Sequence, residues 1–170
     1  NEVIQAAGGG EYSLFFFFFG TVWACGLNAS GQLGDGTNVS KNVPFQIMGL
    51  SDIIQVAAGA EFSLFLKSDG TVWACGHNGF GQFGNGSNAS KNRPVQITGL
   101  TEIVHISAGE WHSIFVKKDG SVFSAGRNHY GQLGDGSTID KNVPVQILGL
   151  SDIIQADAGG IHSVFVKRDG

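Results

Sequence analysis

Charge is scarce in this sequence. Ten Lys and Arg and fourteen Asp and Glu make up 14% of 170 residues, with a formal net charge of −4 and a pI near 5.6. A surface that neutralises many phosphates needs clustered cations, so no direct nucleic-acid partner is expected. The two signs are interspersed, leaving neither an acidic nor a basic tail. Cysteine is limited to Cys25 and Cys75, with no C-x-x-C and no paired Cys/His spacing, which excludes a disulfide framework and a zinc site. No stretch approaches the roughly 18 apolar residues of a membrane-spanning helix, and the start lacks the basic, apolar and small-residue order of a signal peptide. The first residue is Asn1, as in a processed product or an excised fragment, and no compartment can be read.

Glycine, by contrast, is plentiful at 27 residues, and 42% of the chain is hydrophobic. That combination belongs to a turn-rich globular chain rather than to long helices or disorder.

The dominant feature is a repeat of about 50 residues, without insertions, beginning at Thr21, Thr71 and Ser121. Residues 1–20 correspond to its second half, so the chain divides into a partial repeat (1–20) and three full ones (21–70, 71–120, 121–170) within one repeat domain. Four short strands are predicted per period, near Ile53–Ala58, Ser63–Lys67, Val72–Cys75 and Val95–Thr98, separated by Gly-, Asn- and Asp-rich turns. Lys67-Ser68-Asp69-Gly70 reads as a tight hairpin. Leu64-Phe65-Leu66 and Ile114-Phe115-Val116 are apolar at successive positions, so both faces of those strands must be covered. Face-to-face blades do this. The expected fold is all-β: a partial β-propeller of about three four-stranded blades plus an incomplete unit.

In GQLGDG (Gly31–Gly36 and Gly131–Gly136) and GQFGNG (Gly81–Gly86), glycines recur at spacings too irregular for a strand and mark a looped backbone. Asn28, Asn78 and Asn128 precede these loops and are expected to bond to them.

The stretches Gly126-Arg127-Asn128-His129-Tyr130-Gly131-Gln132-Leu133-Gly134-Asp135-Gly136 and Ala108-Gly109-Glu110-Trp111-His112-Ser113, each recurring in phase, resemble the repeat of the regulator of chromosome condensation family. The resemblance covers essentially the whole chain. It implies a propeller, usually of seven blades, which at this period would need about 350 residues. Either the natural protein is longer, which is favoured, or chains associate to complete a ring. Known members range from a nucleotide exchange factor for a small GTPase to enzyme inhibitors and ubiquitin-ligase modules, so the resemblance does not choose a function.

Candidate chemical groups read mainly as structure. Cys25 and Cys75 align with Ala125, a position that asks for a small side chain. His112 and His162 align with Tyr12 and Phe62, as packing or hydrogen-bonding aromatics do. Ser113 and Ser163 follow these histidines, but neighbours on one strand point to opposite faces, which is no catalytic arrangement. Asp35 and Asp135 fit turn chemistry better than a calcium loop, and GQLGDG lacks the ending of a phosphate loop. No metal, no cofactor and no enzymatic activity are expected.

Variation between copies concentrates in the loops: Leu27, Ala29 and Ser30 against His77, Gly79 and Phe80, and against Arg127, His129 and Tyr130. A fixed frame with adaptable loops suits a protein–protein interaction scaffold, with Phe80, Arg127, His129 and Tyr130 as protein-binding candidates. Phe17, Phe18 and Phe19 replace the Lys67-Ser68-Asp69 of the next copy. Each ring could bury about 150–250 Å² against a partner or in self-association. The alternative, by family analogy, is guanine-nucleotide exchange on a small GTPase.

Overall fold

The computed structural model describes residues 2–169 and contains fourteen β-strands and no helix among them. The first sheet is β1 (Val3–Gly8), β2 (Tyr12–Phe17), β3 (Val22–Gly26) and β4 (Lys41–Gln46). The second is β5 (Ile53–Ala58), β6 (Phe62–Lys67), β7 (Val72–Gly76) and β8 (Lys91–Gln96). The third is β9 (Ile103–Ala108), β10 (His112–Lys117), β11 (Val122–Gly126) and β12 (Lys141–Gln146). β13 (Ile153–Ala158) and β14 (Ser163–Lys167) form a two-stranded fourth. Every sheet is an antiparallel meander in chain order. These are three propeller blades and an incomplete unit.

Sequence repeat and blade are out of phase by two strands. The repeat from Thr21 to Gly70 supplies β3 and β4 of one blade and β5 and β6 of the next, so each repeat stitches neighbouring blades together covalently.

The apolar run on β6 shows why this architecture is chosen. Leu64, Phe65 and Leu66 are all fully buried, with alternate side chains entering different cores. Phe65 packs with Leu14, Phe16 and Val22 of the first blade; Leu64 and Leu66 pack with Ile106 and Phe115 of the third. At about 1.5–3 kcal/mol for each large apolar side chain buried, both faces of the strand contribute. On β14 the equivalents of Leu64 and Leu66 are Val164 and Val166, which are exposed.

The first strand of each blade runs along the inside of the array, where glutamines clamp successive blades. Gln5 Nε2 donates to Val56 O and its Oε1 accepts from Val56 N, both at 3.0 Å; Gln55 makes the same two bonds to Ile106. His105 replaces the third glutamine and keeps one bond, from Nε2 to Ala156 O at 2.7 Å. Ser107 adds compensating contacts at this seam, to Asp157 and from Ala158 N. At the end of β5, a Cβ on Gly59 would lie 2.8 Å from Gly109 O, so glycine is what allows the blades to approach this closely.

One strand differs from the sequence reading. The fourth strand of the second blade is Lys91–Gln96, not Val95–Thr98, and Pro94 lies inside it. A proline is incompatible with a central strand, but β8 is outermost and pairs only with β7, so its missing N–H costs no ladder bond on the free side.

Candidate functional site

Strand direction separates two faces of the array. Loops 9–11 and 27–40, and their counterparts in later blades, emerge at one end, the loop face. The tight turns after β2, β6 and β10, and the links into β5, β9 and β13, emerge at the other, the turn face.

On the loop face each long loop is held by its buried asparagine. Asn128 Oδ1 accepts from Leu133 N at 3.0 Å, while Nδ2 donates to Asp135 Oδ1, Ser137 O and Ile139 O at 3.0–3.2 Å. Asn28 does the same with Leu33, Asp35, Thr37 and Val39, and Asn78 with Phe83, Ser87 and Ala89. Leu33, Phe83 and Leu133 plug into the core. Gly31 and Gly81 are left-handed, and a Cβ on either would meet the Cα of Asn92 or Asn142 at 2.5 Å. With the frame fixed in this way, positions 27, 29 and 30 and their counterparts are free to vary.

Burial acts to raise the Asp35 carboxyl, but hydrogen bonds from Thr37 and Asn28 and the Lys41 ammonium, 3.1 Å away, outweigh it and hold the group below the ordinary carboxylate range. Asp135 is held down in the same way by Ser137, Asn128 and Lys141. These carboxylates are already satisfied by turn partners.

Phe80, Arg127 and Tyr130 are brought together. The Arg127 guanidinium carbon lies 5.4 Å from the Phe80 ring centre and 6.0 Å from that of Tyr130. Trp111, which the sequence did not single out, and His77, one of the variable loop residues, complete the cluster. Trp111 is 5.6 Å from Phe80 and 5.0 Å from His77, and His77 is 5.8 Å from Phe80. His77 Nδ1 accepts from Gly79 N and Gln82 Nε2, which places its proton on Nε2. His129 instead sits 3.6 Å from Asp140, which also accepts from Asn128 N.

Loop residue and partner are 31 positions apart across a blade seam, and Ser30 repeats the pattern with a hydrogen bond to Glu61 at 2.6 Å. The same pair of positions is therefore polar at the first seam and aromatic, as Phe80 and Trp111, at the second. This 31-residue offset is the signal that could have found Trp111.

Phe17, Phe18 and Phe19 lie on the turn face. Elsewhere at the first of these positions Lys67 and Lys117 stack over Trp73 and Phe123 at 5.3 and 5.9 Å; here Phe17 packs edge-on against Trp23 at 6.1 Å. At the third, Asp69 accepts from Thr71 N and Oγ1, and these bonds lower its pKa. Phe19 has no oxygen to offer Thr21. Phe18 and Phe19 are 66% and 76% exposed and pack on each other.

A serine and a histidine do meet, across a blade seam rather than as neighbours on one strand. His112 Nε2 lies 3.0 Å from Ser163 Oγ in the next blade, and Ser163 Oγ is 2.7 Å from Gln132 O. The single hydroxyl proton goes to the carbonyl, so Nε2 carries the hydrogen and donates it to the serine. A base that activates serine needs the opposite polarity. Burial, with a smaller contribution from His162, pushes the His112 pKa down to about 4. Ser63 Oγ likewise gives its proton to a carbonyl, that of Gln32 at 2.7 Å, and lies 3.0 Å from the Tyr12 hydroxyl. Both are interblade bonds of the frame.

The sequence profile of the regulator of chromosome condensation (RCC1) repeat matches residues 20–66, 69–116 and 119–166, and a second profile of the same name matches 53–82 and 103–132. Among curated protein sequences none matches this chain. Among solved structures, the chain is similar to yeast RCC1 (Prp20) in its complex with Kap60, with a TM-score of 0.87 and 25% identity over 99% of this chain and 42% of that one. It is similar also to Prp20p of Saccharomyces cerevisiae, described with its binding properties to Gsp1p and histones, with a TM-score of 0.82 and 26% identity over 98% and 45%. Human WBSCR16 shares the fold at a TM-score of 0.62 and 21% identity, over 98% of this chain and 58% of that one. The chain thus spans less than half the length of the yeast neighbours. With three in-phase matches over most of its residues, arranged as successive propeller blades, this chain belongs to the regulator of chromosome condensation (RCC1) repeat family.

Proposed function

We propose that this chain is a non-enzymatic protein–protein interaction scaffold that contacts its partner through the loop face. The observation that carries the reading is the cluster of Phe80, Trp111, Arg127 and Tyr130. Residues from two blades converge there in one aromatic and cationic patch, on loops whose backbone is pinned independently of the side chains presented. Large rings and arginine are the residue types that dominate binding energy at protein interfaces. Three rings and an arginine side by side are the kind of central anchor around which a standard interface, roughly 800 Å² per partner, is built. A photo-crosslinking residue placed at Tyr130 is expected to trap a protein partner that the same group at Phe18 does not; trapping at Phe18 alone would contradict the reading.

Guanine-nucleotide exchange on a small GTPase is the second reading. It is favoured by the likeness to Prp20p, whose structure was described together with Gsp1p binding. Accelerated nucleotide release from Gsp1p on adding the chain would support it, and unchanged release would remove it.

A further inference from the structure

Within the loop-face cluster, Arg127 is a cation without an anion. Its side chain accepts no ion pair and makes no hydrogen bond among the described residues, and its Nε is buried with no partner. Other groups of this loop have partners of their own: Lys141 pairs with Asp135, and Asp140 accepts from Asn128 N and lies 3.6 Å from His129. Lys91 stands apart on the outermost strand opposite Gly76, and the Glu110 carboxylate points toward Gly160. The Phe80 and Tyr130 rings, 5.4 and 6.0 Å from the guanidinium carbon, flank it and restrict its orientation. An arginine so held loses little freedom when it forms a paired, planar hydrogen-bonding contact.

We propose that the partner presents a carboxylate side chain to Arg127, on an acidic protein segment with an apolar neighbour that lies on Phe80, Trp111 and Tyr130. This rests on the loop-face reading above and narrows it to a partner chemistry. A single guanidinium balances one monovalent carboxylate. A phosphate, at about −1.5 to −2, calls for more than the one cation found here. With its Nε buried and its plane held between two rings, the guanidinium is ordered before it pairs, which places the pair at or above the upper end for a surface ion pair, about fivefold in affinity.

The test is a side-chain NMR titration of the labelled chain with the tetrapeptide acetyl-Gly-Phe-Glu-Gly-amide, its Gln counterpart and its phosphoserine counterpart. The Arg127 Nε–H and Trp111 indole N–H serve as reporters. The expected result is that the Glu peptide binds at least about fivefold more tightly than the Gln peptide and shifts both reporters. The phosphoserine peptide should gain nothing over Glu, and the Glu preference should disappear in Arg127→Gln. That variant is tolerated by the frame, because Leu27 and His77 occupy the same position in other blades. Equal affinity for the Glu and Gln peptides, with both shifting Trp111, would overturn the carboxylate and leave the loop face standing. Tighter binding of the phosphoserine peptide would overturn it in favour of a phosphorylated partner. Absence of shifts with every peptide would overturn it as well, while the crosslinking result at Tyr130 decides the loop face separately.

Discussion

His112 donates through Nε2 to Ser163 across the seam between the third and fourth sheets, at 3.0 Å, and its own Nδ1 is buried without a partner. A neutral ring leaves one unpaired acceptor there, whereas an imidazolium would bury an unpaired donor together with its charge, at greater cost. The folded-state pKa is pushed down to about 4 by burial, against an ordinary value of 6.5 in the unfolded chain. Between those two pH values the unfolded chain binds a proton that folded His112 refuses, so stability is fully present above pH 6.5 and falls as the pH drops toward 4. The loss is at most roughly 3 kcal/mol and levels off below the folded pKa. Urea denaturation across this window should show the decline, and His112→Phe, which copies Phe62, should remove that part of it. An unchanged profile in the variant would assign the pH dependence elsewhere.

The exposed tip at Phe18 and Phe19 gives up hydrogen bonds that other blades keep. Phe19→Asp supplies the acceptor that Asp69 offers to Thr71, and should raise stability by about 0.5–1 kcal/mol. Combined with Phe18→Ser it should also lower any self-association seen by light scattering, because a contiguous apolar patch is lost. If the double variant associates as strongly as the original chain, the tip is not the contact.

Asn128 is buried, and its amide serves four groups of its loop. Asn128→Ala leaves a backbone N–H and two carbonyls short of partners and should cost about 2–4 kcal/mol in chemical denaturation. A cost below roughly 0.5 kcal/mol would mean that the loop is held by other contacts.

Much of this fold was legible from the chain because each local signal has a short-range cause. The unbroken run Leu64-Phe65-Leu66 required cover on both faces, and the two cores on either side of β6 supply it. Asn28, Asn78 and Asn128 bond to their loops as their position before a glycine-rich turn implied. The fourth strand lies at Lys91–Gln96 rather than Val95–Thr98, because the free edge of β8 tolerates Pro94 inside it. Trp111 was missed for a different reason. Its partner Phe80 lies 31 residues earlier in another blade, an offset that marks a contact only once the phase between repeat and blade is known. The His112–Ser163 bond escaped notice for the same cause.

Binding through the loop face, as proposed, is separable from the frame that holds it. The most direct measurement compares the affinity of a partner trapped at Tyr130 for the original chain and for Phe80→Ala/Tyr130→Ala, with thermal unfolding of both recorded alongside. Truncating two such rings at an interface centre is expected to weaken binding by about 2–4 kcal/mol, from thirtyfold to nearly a thousandfold, while unfolding changes little because Tyr130 is 66% exposed and Phe80 half-buried. Unchanged affinity in a folded variant, or a loss matched by loss of the fold, would rule out loop-face binding separable from the frame.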